Sequence, residues 1–259
     1  MLVLLPPSQG KTAPLDGPPL GLAALSLPGL NPARRKVLTA LARECRTNPA
    51  GALGTLGLSP GLASEVARNS RIRNAPTAPA WRVYTGVLFA ALDIAGADAA
   101  TQARLADWAL VWSGLWGAVR LTDPIPAYRL SGAVTLPGPG RLASFWREPL
   151  RKALPGVTGD GPILDLRSGT YAASWSGPPE RTVTVRVVHE SGGRRIVASH
   201  FNKATKGRLL RALAETSATP NTVEDLLDAM RTAGFRVEPR AVPAGRERAL
   251  SVDVVVDSL

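Results

Sequence analysis

Residues 108–130 read WALVWSGLWGAVRLTDPIPAYRL. The first five, Trp108 to Trp112, are wholly apolar and bounded by turn-forming residues, the pattern of a short strand buried on both faces. The next eighteen, Ser113 to Leu130, hold two glycines, a tryptophan, an aspartate, two prolines and Arg120, then the pair Tyr128-Arg129. Neither a core strand nor a solvated loop needs all of these together. Irregular chain just beyond a strand end is where α/β proteins place binding groups. The stretch therefore predicts an α/β protein with a site at this strand's exit.

Outward from it, Leu2 to Leu5 and Ile163 to Leu166 read as two more buried strands. Thr182 to Val188 and Arg195 to Phe201 alternate and flank Ser191-Gly192-Gly193, which predicts a hairpin. Phe235 to Val242 and Leu250 to Val256 read as closing strands. Helices are predicted over Pro32–Arg46, in a pair within Asn48–Arg73, and over Val83–Ile94, Ala99–Ala106, Lys203–Glu215 and Thr222–Thr232. Asn31-Pro32 has the form of a cap followed by a first-turn proline. The class is α/β (α+β): a mixed β-sheet with flanking helices, in one domain spanning 1–259 with a helical sub-lobe at 32–74.

The chain carries 31 Lys and Arg against 20 Asp and Glu, a formal charge of +11. That balance points to polyanionic partners, although a GC-rich genome also yields Arg-rich, Lys-poor chains. Cys45 is the single cysteine and His189 and His200 the two histidines, too few for a structural zinc or iron–sulfur site. Cys45 reads as a small core filler, and His200 as a packed strand residue. No metal and no cofactor is expected. No apolar window reaches the length of a membrane span. The opening MLVLLPPSQGK lacks the basic start and cleavage site of a signal peptide, so a cytoplasmic location is expected.

Several segments could carry chemistry. Gly10-Lys11-Thr12 follows a strand, but a phosphate-binding P-loop needs glycine at position 5, which is Leu. What remains is Ser8, Gln9 and Lys11 on a loop at a strand end, either meeting an anion or solvated. In LGTLGLSPGLASEVAR (53–68), two short apolar helices meet at Gly57-Leu58-Ser59-Pro60-Gly61, a helix-hairpin-helix-like element. Its backbone N–H groups, exposed around Gly57, Ser59 and Gly61, would contact DNA phosphates beside Arg68, Arg71 and Arg73. An ordinary αα-hairpin is the other reading. Lys203 and Lys206 open a helix against its dipole, a cost of about 0.3–1 kcal/mol each, which suggests cations gathered around an anion. Gly207 would permit close approach there. Ser168 and Tyr171 follow another strand, as ligand-facing groups or as a cap and an anchor. Asp123 and Asp165 are a possible carboxylate pair only if the fold brings them together.

Taken in order, PPSQGKT, Tyr84-Thr85-Gly86, SGLWGAVRLTDPIPAYRL, Phe145-Trp146, DLRSGTY and FNKATKG resemble the YaaA peroxide-stress family over most of the chain. The resemblance implies a cytoplasmic protein of the peroxide response that limits iron-mediated oxidative damage. It also implies an α/β fold with a cationic cleft, a helix-hairpin-helix element and DNA binding. By position, Ser8, Lys11, Tyr84, Arg120, Tyr128, Arg129, Ser168, Lys203 and Lys206 would line or support that cleft. Gln9 stands where relatives often have Glu, and Lys206 where others have Arg. The second change trades a bidentate fork for a point charge.

Two functions follow as expectations. One is a protein that grips double-stranded DNA through largely sequence-independent phosphate contacts. The other is an enzyme acting on a nucleotide or another phosphorylated or carboxylated small ligand, with Tyr84, Tyr128 or Asp123 handling protons.

Overall fold

Apolar runs long enough to be strands but not helices set the centre of the molecule. The structure, a computed structural model, describes residues 1–191, 194–197, 201–240 and 249–256. The strands of the main sheet are β1 (Leu2–Leu5), β2 (Ala109–Ser113), β3 (Gly117–Arg120), β4 (Ile163–Asp165), β5 (Thr182–Ser191), β6 (Arg194–Val197), β7 (Arg236–Pro239) and β8 (Leu250–Val256). They form one mixed sheet in the order β7-β8-β5-β4-β1-β2-β3, with β6 beside β5. From β8 to β2 the neighbours are parallel; β3 and β7 close the edges antiparallel, and β6 pairs antiparallel with β5. Strands β1, β2 and β4 are buried along their whole length, which explains why they are apolar except for the terminal Ser113 and Asp165.

The chain leaves β1 for β2 on one side and later returns to β4 on the other. Leu4 is in register with both Leu110 and Asp165. The carboxyl ends of β1 and β4 thus diverge at a topological switch point, where an open parallel sheet leaves a crevice.

Between β1 and β2 lie α1 (Asn31–Thr47), α2 (Pro49–Leu56), α3 (Ala63–Ser70), α4 (Val87–Leu92) and α5 (Ala99–Trp108). Residues of α1 to α3, among them Val37, Leu41, Leu56 and Val66, belong to the same apolar core as the sheet. The residue starting α1 is Asn31 itself, whose side chain accepts from Arg34 at 2.9 Å instead of capping the helix. Later come α6 (Phe201–Glu215) and α7 (Val223–Thr232), the latter closed at its start by a Thr222–Asp225 capping box. Phe201 begins α6 and does not extend β6, as alternation alone had suggested. His200 and Gly192-Gly193 lie outside the described residues.

The opening segment folds as a strand, a tight reversal and an edge strand. Ser113 Oγ accepts from the backbone N–H of Leu115 and of Trp116, at 3.1 and 2.9 Å. Gly117 takes φ +74, and a Cβ there would stand 2.7 Å from the Trp146 ring. Arg34, fully buried on α1, donates to Trp116 O at 3.0 Å and Ala118 O at 2.7 Å. It thereby satisfies two carbonyls of the reversal that the sheet does not.

Candidate functional site

A cavity of about 560 Å³ occupies the switch point. The loop after β1 supplies Ser8, Gln9 and Gly10, and the turn after β4 supplies Ser168 beside the Tyr171 ring. Lys203 and Lys206 enter from the first turns of α6, and Thr85-Gly86 with the start of α4 form the remaining wall. The two lysines differ. Lys206 is 8% exposed and donates to Leu166 O at 3.2 Å, and burial lowers its pKa against the opposing pull of Asp165. Lys203 is exposed at the mouth and makes no ion pair among the described residues. The amide oxygen of Asn202, also in the wall, is buried and accepts no hydrogen bond among the described residues.

The loop carrying Ser8 is tied by its own residues. Ser8 Oγ donates to Gly10 O at 2.5 Å, and Lys11 Nζ donates to Ser8 O at 2.8 Å. Arg129 secures the loop from outside through Gln9 O at 3.2 Å, while Asn69 clamps the Arg129 backbone by two hydrogen bonds. Behind the loop, Tyr84 and Tyr128 are buried, with hydroxyls 2.9 Å apart and Ser113 Oγ 2.6 Å from that of Tyr128. Burial raises both phenol pKa values, so neither serves as a base near neutrality. Tyr171 likewise anchors the fold: its hydroxyl accepts from Gly132 N at 3.1 Å.

Half-buried Lys11 lies with its amine 4.2 Å from the Tyr128 ring centre and 5.4 Å from that of Tyr84. Burial, reinforced by Arg129, lowers its pKa from 10.5 to about 7. The folded state then binds fewer protons than the unfolded one between about pH 7 and 10.5, so this group's destabilisation fades as pH rises through that window. Lys11→Met is expected to stabilise the protein by roughly 1–3 kcal/mol at pH 6, where the buried charge is fully present. The gain should shrink towards pH 10, as measured by urea unfolding at both ends of the range.

Three placements differ from expectation. Arg120 pairs with Leu110 on β3, at the end of the sheet away from the cavity, and donates to Asp107 O. Asp123 holds a turn, accepting from Ser26 N, Ser26 Oγ and Arg120 N at 3.0, 2.6 and 3.0 Å. It does not meet Asp165, which forms a buried ion pair with Arg167 at 2.6 Å. Nor does Gly207 face a ligand: its Cα packs against α4, where an added Cβ would lie 2.3 Å from Leu88 O.

In the α1–α3 segment, α2 ends at Gly57 in the left-handed conformation, and a short turn over Pro60–Leu62 leads into α3. Gly57, Ser59 and Gly61 are exposed. Arg68 pairs with Glu65 at 2.6 Å and Arg73 donates to Thr39 Oγ1 at 2.6 Å, whereas exposed Arg71 makes no ion pair among the described residues. A second hollow, of about 500 Å³, runs between residues 54–58 and 129–135. Gln9 lines both hollows, so hairpin and cavity share a wall. Sequence reasoning passed over Arg34, Asn69 and Asn202. Arg34 was legible in principle, because it falls on the same helical face as Val37, Leu38 and Leu41.

Among the described residues, no three His, Cys, Asp or Glu side chains gather to hold a metal ion, and no helix is long and apolar enough to cross a membrane. Cys45 is buried, and burial pushes its thiol up to about 11. A UPF0246 protein of Streptomyces coelicolor is 51% identical over 259 residues, covering 99% of this chain and 98% of that one. A UPF0246 protein of Corynebacterium efficiens is 42% identical over 258 residues, covering 98% and 100%. An uncharacterized protein of Campylobacter jejuni is 33% identical over 150 residues, 58% of each chain. The family model described as peroxide stress protein YaaA matches residues 1–241. With this match and these relatives, the chain belongs to the YaaA family of peroxide stress proteins.

Proposed function

We propose that the protein serves the peroxide-stress response by binding double-stranded DNA through phosphate contacts, and so limits iron-mediated oxidative damage to it. The observation that carries this reading is the exposed Gly57–Gly61 reversal beside Arg68, Arg71 and Arg73, on a chain of net charge +11. A helix-hairpin-helix offers backbone N–H groups to phosphates; here those of Gly57 and Leu58 are held by Gly54 O and Leu53 O, so Ser59 and Gly61 are the donors this reading uses, with the arginines adding charge and little base readout. Log K for duplex binding should fall with log[salt] by about 0.9 per neutralised phosphate. Arg71→Ala should reduce that slope by about 1 and weaken all sequences alike. A flat salt response would overturn the reading.

The switch-point cavity favours a second reading, an enzyme acting on a nucleotide or other small anion. Its volume of about 560 Å³ suits a small ligand and not a duplex. Lys203 and Lys206 would take the anionic group and Asn202 a donor. Calorimetry with adenosine monophosphate, on the protein and on Lys206→Met, tests it; equal heats for both would remove it.

A further inference from the structure

One helix face departs from the way this chain handles exposed arginines. Arg68, Arg151, Arg211 and Arg231 each pair with an acid three or four residues away on the same stretch of helix, at 2.6 to 2.8 Å. On α1, by contrast, Arg35, Lys36 and Arg43 are exposed and make no ion pair among the described residues. No acid stands in the first turn of α1, where the helix dipole favours one. The single acid of this helix, Glu44, is already occupied: Thr55 Oγ1 and Asn48 Nδ2 donate to its Oε1 at 3.0 and 3.3 Å.

The three cations line a groove of about 940 Å³, larger than the switch-point cavity. Its lining also includes the apolar Pro137, Pro139 and Phe145. The prolines sit in a turn held by the antiparallel pairing of residues 135–136 with 140–141. Phe145 packs edge-on to Trp146, ring centres 5.4 Å apart, and Trp146 Nε1 donates to Gly114 O at 2.9 Å, so this part of the groove is fixed to the sheet core. We propose that the groove docks an acidic amphipathic helix of a partner protein, with its carboxylates on Arg35, Lys36 and Arg43 and its apolar side on Phe145 and the prolines. This goes beyond the DNA-binding reading and does not rest on it.

Charge complementarity selects an acidic occupant, and spacing selects its form. Lys36 and Arg43 are seven residues apart on one helix, two turns or about 10 Å. A second helix laid alongside repeats at that spacing, so carboxylates at i and i+7 meet both cations. Exposed ion pairs alone bind weakly. The apolar lining supplies the anchor that a docked helix needs, and a preformed groove lowers the cost of ordering it. A single nucleic-acid strand would use the same cations, but its bases need successive rings to stack on. Among the described residues, Phe145 is the one aromatic side chain in the lining.

The probe is a fluorescein-labelled, helix-forming peptide of about eighteen residues, with glutamates at i and i+7 beside a leucine and phenylalanine stripe. Its anisotropy is followed on titration with the full chain. Lys36→Gln with Arg43→Gln should weaken binding about tenfold. Arg208→Gln with Arg231→Gln, an equal loss of charge at exposed positions of α6 and α7, should change it by less than about twofold. Moving the glutamates off the i, i+7 register, or replacing the apolar stripe by alanine, should each lower affinity at least about fivefold. Arg43→Glu should lose the acidic probe and bind, better than the unsubstituted protein does, a probe with one glutamate changed to lysine; misfolding does not produce such a reversal. Equal weakening by the two double variants, or indifference to register, would overturn the proposal. So would a labelled oligothymidylate whose binding the Lys36→Gln, Arg43→Gln pair weakens while leaving the peptide's unchanged, which would assign the groove to a single strand. Duplex salt dependence is read separately with Arg71→Ala, so failure of either test leaves the other result standing.

Discussion

Asp165→Ala is expected to cost about 3–5 kcal/mol of stability, the scale for breaking a buried ion pair from one side. Arg167 donates to both Asp165 oxygens, through Nε at 2.9 Å and Nη2 at 2.6 Å, and its backbone N–H donates to the same carboxylate at 3.0 Å. The guanidinium is fixed further by Trp175 O at 2.9 Å and by the Trp112 ring, whose centre is 4.2 Å away. Removing the carboxylate strands a cation in a site 7% exposed, and no second acid among the described residues pairs with it. The loss should spread to the cavity, because the next residues are Leu166, whose carbonyl holds Lys206, and Ser168 at the rim. Replacing both partners together, Asp165→Val with Arg167→Met, should cost far less, since no charge is then left buried. Urea unfolding of the two variants decides it; equal losses for the single and double variants would mean that packing, not charge, is at stake.

That ion pair also marks where sequence reading stopped. The central strands were legible because Leu2–Leu5, Ala109–Trp112 and Ile163–Leu164 are unbroken apolar runs buried on both faces, a pattern that few other structures tolerate. Their order was not legible. Alternation and turn residues report what each segment does locally, whereas the placing of β1 between β4 and β2 rests on register contacts more than a hundred residues apart in sequence. The run FNKATKG shows the same limit. Its cations were placed at a helix opening, but that helix begins two residues earlier, at Phe201, which alternation had assigned to the preceding strand.

Within the site, residue chemistry was easier to read than direction. Ser8, Ser168, Tyr171, Lys203 and Lys206 come from three separate segments and converge on one cavity, because β1 and β4 end side by side. Arg120 and Asp123 lie in the most informative stretch of the chain yet point elsewhere, since the reversal at Gly117 carries β3 back down the sheet. Four residues of antiparallel strand, at about 3.4 Å each, are enough to take a side chain from the carboxyl edge to the opposite end. A motif thus identified the right neighbourhood while assigning some of its members to the wrong end of it.

Gly207 carries the other large effect, and its sign is opposite to helix propensity. In an exposed helix, Gly→Ala gains up to about 1 kcal/mol. Gly54 in α2, with open space around its missing Cβ, should behave in that way. At Gly207 the same Cβ would stand 2.3 Å from Leu88 O and 3.0 Å from both Leu92 N and Ala91 Cβ, so α6 would have to move away from α4. The obstructing atoms are mostly backbone, and no change of rotamer relieves them. Gly207→Val should therefore cost about 3 kcal/mol or more, and Gly207→Ala a smaller part of that, against a small gain for Gly54→Ala. Because the start of α4 and the first turns of α6 both line the switch-point cavity, the valine variant should also lose the small-anion binding proposed there, under conditions where it is still folded. Denaturant midpoints for the three variants, with adenosine monophosphate titrations of the folded fraction, separate the two effects. A Gly207→Ala protein as stable as Gly54→Ala would show that the helices can part at no cost, and the close α4–α6 contact would then have no role in holding the lysines in place.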